Sequence, residues 1–199
     1  MVARRPAIAK SAVATGRGDD GTTGLLHGGR ISKDDRRTEA YGTVDEAVAA
    51  LGVARVELAE AGLAELAESV LRWQRELFVV GAELATNPEA RDRLEDGVTR
   101  VSEQMLEGVE AELGRWESVV QMPREFIVPG ETRASAALEV ARAVVRRAER
   151  RVISAVRVGT LESALVVPYL NRLADLVWVL ARAAEQGEHV ASTKARMHE

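Results

Sequence analysis

The sequence predicts an all-α protein, a five-helix bundle, on three observations. Ala, Leu, Val, Glu and Arg dominate while aromatics make up only 4% of the chain, a mixture that favours helix over a β-sandwich or barrel. Apolar residues recur at helical spacing in five long stretches. Short connections punctuated by glycine and proline separate the stretches, and amphipathic helices joined in this way bury their stripes against one another as a bundle. A chain of 199 residues is one domain by size, long enough for a single sizeable core.

The amino-terminal residues 1–14 carry Arg4, Arg5 and Lys10 without the apolar stretch of a secretory signal, and they read as a disordered tail. The domain proper is expected over 15–186. Its first part, 15–30, holds Gly16, Gly18, Gly21, Gly24, Gly28 and Gly29, so a loop is expected there. The first helix is expected to start with Ser32 or Asp34 as N-cap, to place Tyr41, Val44, Val48, Leu51 and Leu58 on one stripe, and to stop at Gly62. The second runs from Leu63 to Leu84, with Leu66, Val70, Trp73, Leu77, Val80 and Leu84 on one face, and Asn87-Pro88 ends it. The third spans Arg91 to Val119, with Leu94, Val98, Val101, Met105, Val109 and Leu113 as its apolar face.

The segment FIVPG at 126–130 reads as an extended connector whose Phe126 is placed for a purpose. The fourth helix covers Ala134 to Val156 and the fifth Glu162 to Gln186, where Pro168 either kinks the helix or marks its first turn. Residues 187–199 read as a flexible carboxy-terminal tail.

Composition narrows the function. A net charge of −4 gives no reason to expect a nucleic-acid partner. No apolar run reaches the roughly 18 residues of a membrane span, so no membrane partner is expected. The chain has no cysteine, which rules out disulfides and thiolate chemistry and suits a cytoplasmic location. His27, His189 and His198 fall in no metal-ligand spacing, and no metal ligands are assigned.

Three constellations can carry chemistry. The first is TGRGDDGTTG at 15–24, where backbone N–H groups of a glycine-rich turn and the hydroxyls of Thr15, Thr22 and Thr23 can cradle a polyphosphate. Asp19 and Asp20 would repel it unless Mg²⁺ or an arginine stands between. A plain flexible loop is the other reading. The second is ARAVVRRAERRV at 141–152, in which Arg142, Arg146 and Glu149 share one helix face. Two arginines one turn apart form a fork for phosphate, or else a solvated face of ordinary ion pairs. The third is YLNRLADLVWVLAR at 169–182, where Asn171 and Asp175 share a flank and an amide can read an adenine edge or a ribose hydroxyl.

These stretches, together with EAYGTVDE at 39–46 and FIVPG, resemble the propanediol-utilisation type of ATP:cob(I)alamin adenosyltransferase from residue 15 to about 184. The resemblance implies transfer of the 5′-deoxyadenosyl group of ATP to the cobalt of cob(I)alamin, with triphosphate as the leaving group. It implies a homotrimer of ferritin-like, up-down bundles with sites between subunits, and Mg²⁺ accompanying ATP. It further implies a reductase and an adenosylcobalamin-dependent acceptor enzyme as partners. On this resemblance Thr15, Gly18, Asp19, Gly21, Thr22, Thr23 and Lys33 belong to the ATP loop. Arg142 and Arg146 bind the triphosphate, Glu149 and Asn171 lie at the nucleotide, and Arg142 also pairs with Asp45 across the interface. Phe126 closes off the lower face of the corrin. The chain departs from the family pattern at Ala14 and Glu131, which bear on ATP affinity and on the lid. A non-catalytic bundle that binds nucleotide or corrinoid for delivery or sensing is the alternative.

Overall fold

The computed structural model describes residues 11–159 and 161–185 and the backbone of 190–191. Most of the two expected tails, and with them His189 and His198, lie outside the described residues.

Among the described residues, five α-helices carry the fold: α1 Arg36–Glu60, α2 Ala64–Ala85, α3 Glu103–Glu117, α4 Arg133–Arg157 and α5 Val166–Ala184. Side-chain contacts give their directions. Glu39 and Glu57 of α1 pair with Arg151 and Arg133 of α4, so these helices run antiparallel. Asn171 and Arg182 of α5 meet Glu149 and Glu139 of α4, which makes that pair antiparallel too. Ser69 and Arg115 link α2 to α3 in the same sense. Among the described residues, no helix is long and apolar enough to cross a membrane.

The predicted face of α2 is the buried one: Trp73, Leu77, Val80 and Leu84 are fully inaccessible. They meet α1 through Leu51 and Leu58, α4 through Leu138 and Val145, and α5 through Leu170, Leu173 and Leu180 in one core. Each such side chain stabilises the fold by about 1.5–3 kcal/mol relative to exposure.

Several element starts differ from the sequence reading, each for a local reason. The residues expected as a glycine loop contain a hairpin, with β1 Thr22–Gly24 paired antiparallel to β2 Arg30–Ser32. Its turn places His27, Gly28 and Gly29 at positive φ. Two successive left-handed residues explain the glycine pair, because a Cβ there is strained. Helix α1 is capped by Asp35, whose carboxylate accepts the Arg37 N–H at 2.7 Å. Ser32 and Asp34 are unavailable as caps because the Ser32 hydroxyl, at the end of β2, is donated to Asp34.

Helix α3 begins at Glu103, capped by Ser102, rather than at Arg91. Pro88–Arg93 forms a 3₁₀ turn instead, and the Val101 N–H is held by the buried Glu83 carboxylate at 2.7 Å. Val98, expected on the apolar face, is therefore exposed in the connecting turn. Helix α5 starts at Val166, so Pro168 sits in its first turn and does not kink it. The FIVPG connector forms a two-residue strand, β3 Ile127–Val128, paired antiparallel with β4 Val190–Ala191. That pairing brings the carboxy-terminal segment beside Phe126.

Candidate active site

The amino-terminal hairpin is knotted by a residue the sequence reading passed over. Arg30 donates Nε to the Thr22 hydroxyl at 2.9 Å and Nη2 to the Arg17 carbonyl at 2.6 Å. One oxygen of Asp20 accepts the N–H and the hydroxyl of Thr22 at 2.9 and 2.8 Å. These bonds, the backbone one first, hold the Asp20 carboxyl below the usual carboxylate range. Lys33 closes the segment by donating its ammonium to the Gly18 carbonyl at 2.8 Å. A Cβ at Gly18 would meet that ammonium, so a substitution there would push the lysine tip aside and loosen this closure.

Gly21 takes the left-handed turn that β1 follows. The Thr15 hydroxyl accepts only the Arg17 N–H, at 3.4 Å. Asp19 and Thr23 have side chains with no partner among the described residues. Leu26 bonds to Ala85 and Asn87, which seats the hairpin on the end of α2.

Arg142 and Arg146 project from α4 into a cavity of about 310 Å³ that α5 closes with Asp175 and Trp178. Arg142 and Trp178 also wall a neighbouring cavity of about 530 Å³, whose other side is Phe126, Ile127 and Pro129. The aromatic, the first arginine and the second arginine thus lie along two adjoining hollows. Phe126 is 88% exposed. An apolar ring in that position is unusual for structure and useful for a ligand.

The solvated-face reading of the arginines requires ordinary ion pairs. Arg146 makes none among the described residues. Arg142 donates Nε to Glu139 Oε2 at 2.6 Å, and its two terminal nitrogens have no partner there. The neighbouring arginines do form such pairs, Arg147 with Glu46 and Arg151 with Glu39.

Asn171 donates to Glu149 Oε1 at 3.3 Å and accepts from Arg172 at 2.8 Å, so the amide and the carboxylate are held together between α5 and α4. Asp45 is exposed on α1, unpaired among the described residues, beside an apolar cavity of about 440 Å³ lined by Leu26, Tyr41, Leu77 and Phe78. Asp45 and Arg142 are not joined within the chain. Nor does any hydrogen bond or ion pair link residues 15–33 to Arg142 or Arg146 among the described residues.

The family model of cobalamin adenosyltransferases matches residues 13–184, which includes every element of this site. The chain belongs to that family. A corrinoid adenosyltransferase of Citrobacter freundii is 41% identical over 173 residues, covering 87% of this chain and 94% of that one. Another, from Bacillus subtilis, is 36% identical over 166 residues, covering 83% and 82%. A variant PduO-type ATP:corrinoid adenosyltransferase from Lactobacillus reuteri, solved with cobalamin and ATP, superposes with a TM-score of 0.78. It is 30% identical, covering 88% of this chain and 96% of that one.

Sequence reasoning missed the residues that hold the site from behind. Arg30 has no periodic signature. Glu139, Arg182 and Glu185 are buried charges on otherwise apolar faces. Their only sequence signal is a charged residue at a core position of the stripe, which marks a buried pair once the facing helix is known. Burial pushes the Glu185 carboxyl up, against the pull of Arg182.

Proposed function

We propose that the chain is an ATP:corrinoid adenosyltransferase that transfers the 5′-deoxyadenosyl group of ATP to the cobalt of cob(I)alamin. The observation that carries this is the alignment of Phe126, Arg142 and Arg146 along two adjoining cavities in a member of this family. In the reaction the cobalt(I) electron pair attacks C5′ of the ribose. The C5′–O bond breaks and inorganic triphosphate leaves with its electrons. Neither a protein base nor a protein nucleophile is needed. The chain must hold C5′ in line and stabilise charge growing on the leaving group.

Arg142 and Arg146 supply that stabilisation, since their guanidinium forks have nitrogens free for phosphate oxygens. The hairpin from Thr15 through Gly18, Asp19, Gly21, Thr22 and Thr23 to Lys33 covers the nucleotide, with Glu149 and Asn171 at its other side. Mg²⁺ enters with the triphosphate. The described residues hold no cluster of three acidic or histidine side chains for a metal, so phosphate and water would supply most of its ligands, with Asp19 of the hairpin and Glu117 and Asp175 of the arginine cavity as carboxylates that could add to them. Phe126 presents an apolar face that bars a lower axial ligand from the corrin, easing the reduction to cobalt(I).

The working unit on this reading is a homotrimer of up-down, ferritin-like bundles. Its support is that, among the described residues, no hydrogen bond or ion pair joins the hairpin to Arg142 or Arg146, while Asp45 stands unpaired beside an apolar groove with the exposed Phe78. A neighbouring copy would cover that groove and bring Asp45 to Arg142. A reductase delivering cobalt(I) and an acceptor enzyme using adenosylcobalamin complete the setting, and a cytoplasmic location suits a chain without cysteine. Anaerobic incubation of the folded protein with reduced cobalamin and Mg-ATP is expected to yield adenosylcobalamin and triphosphate. ATP binding with no product would leave a carrier or sensor instead.

A further inference from the structure

Arg142 is the one cavity arginine whose side chain is fixed, and what fixes it is buried. Glu139, 7% exposed, accepts Arg142 Nε on Oε2 at 2.6 Å. Its other oxygen is ion-paired with Nη2 of Arg182 at 3.1 Å. Arg182 is 3% exposed, lies 5.5 Å over the Trp178 ring, and shares the same nitrogen with Glu185 at 2.9 Å. Glu185 is the C-cap of α5, so these charges tie the end of that helix to α4. The chain of contacts therefore runs from the α4–α5 core out to the cavity wall.

We infer that Glu139, anchored by Arg182, is a positioning residue that aims the terminal nitrogens of Arg142 at the triphosphate. The inference rests on the adenosyltransferase reading of Arg142. Its physical basis is the difference between this pair and the others on α4. Arg147–Glu46 and Arg151–Glu39 are half-exposed on both sides, and such pairs wander and are screened. Glu139 has both oxygens committed and little contact with solvent, so its orientation is set by packing. Holding Arg142 by Nε fixes the plane of the guanidinium and leaves both Nη atoms without a partner among the described residues, available to phosphate and to Asp45 of a neighbouring copy. A bidentate phosphate contact needs that plane fixed in advance, because a displacement of about an ångström at a reacting group costs on the order of a hundredfold in rate.

The test is a double-mutant cycle in anaerobic turnover with Mg-ATP, using Glu139→Gln, Arg142→Ala and the two combined. Glutamine keeps the shape but loses the charge that pairs with both arginines. Glu139→Gln is expected to lower kcat/KM about tenfold or more. In the Arg142→Ala background the same change is expected to cost no more than about twofold. Wild-type turnover in Glu139→Gln overturns the inference, as does a loss that persists undiminished without Arg142. Wild-type turnover in Arg142→Ala defeats the reading of the active site itself, and the inference with it. If Glu139→Gln fails to fold, Glu139→Asp replaces it: the buried charge beside Arg182 is kept, but one methylene of reach toward Arg142 is lost. That variant is expected to fold and to show the same loss, and full activity in it also overturns the inference.

Discussion

Replacing Arg146 with alanine separates catalysis from stability more cleanly than any other change in this chain. Arg146 is exposed on α4 and makes no hydrogen bond or ion pair among the described residues. Truncation thus strands no partner, and alanine is at least as good a helix former. The folding free energy should stay within about 0.5 kcal/mol, leaving the melting temperature nearly unchanged. The rate should not. An arginine that neutralises charge developing on a leaving group contributes about 2.7–4 kcal/mol to the barrier, a loss of roughly 10²–10³ in kcat. Arg146→Lys keeps the charge but loses the planar fork, so its loss is intermediate.

The control is Arg157→Ala. Arg157 is an exposed arginine about three turns along the same helix, hence close to the same face, and lies outside the cavity. Initial rates of adenosylcobalamin formation from pre-reduced cobalamin, beside thermal melts, decide the matter. If Arg146→Ala turns over within about threefold of wild type while folded, or if Arg157→Ala falls as far, the electrostatic assignment is wrong.

Phe126→Ala should melt like wild type because the ring is already 88% exposed, yet lose most activity when the assay starts from cob(II)alamin and a mild reductant. An equal loss with preformed cob(I)alamin would argue against the axial-ligand role. Asp45→Ala and Arg142→Ala should each lose most activity alone, but co-refolded at one to one they should regain it at roughly a quarter of the interfaces. No recovery in the mixed assembly would show that the pair does not act between subunits. Glu112 is partly buried, which alone would raise its pKa, but Arg115, Trp116 and Ser69 outweigh burial and hold the carboxyl below 4.5. A depressed folded-state pKa gives stability that is present above the unfolded value of 4.5 and is lost as pH falls through the lower one. Acid unfolding followed below that pH should therefore shift upward in pH in Glu112→Gln, and an unchanged profile would count against that coupling.

The helices and the arginine pair were legible in the sequence because they rest on local rules. The α2 stripe, the stop at Gly62 and the one-turn spacing of Arg142 and Arg146 depend on helical period and on neighbouring backbone only. The onset of α3 was not legible, because Glu83, far back in the chain, captures the Val101 N–H and competes with helix formation. The hairpin escaped for a similar reason: its glycines announce turns, but the Arg30 bonds that select one arrangement are visible only after folding.

The same division runs through the site. Sequence by itself determined which residue types were available for phosphate and that two of them shared a face. Only the tertiary structure decided that Phe126 and Trp178 stand at that face, that Glu139 is wedged between Arg142 and a buried Arg182, and that Asp45 and the hairpin make no hydrogen bond or ion pair with Arg142 among the described residues. Helical period fixes where a side chain points from its own axis. What it meets there depends on the packing of α4 against α5, and a buried charge makes sense only once its partner on the facing helix is in place.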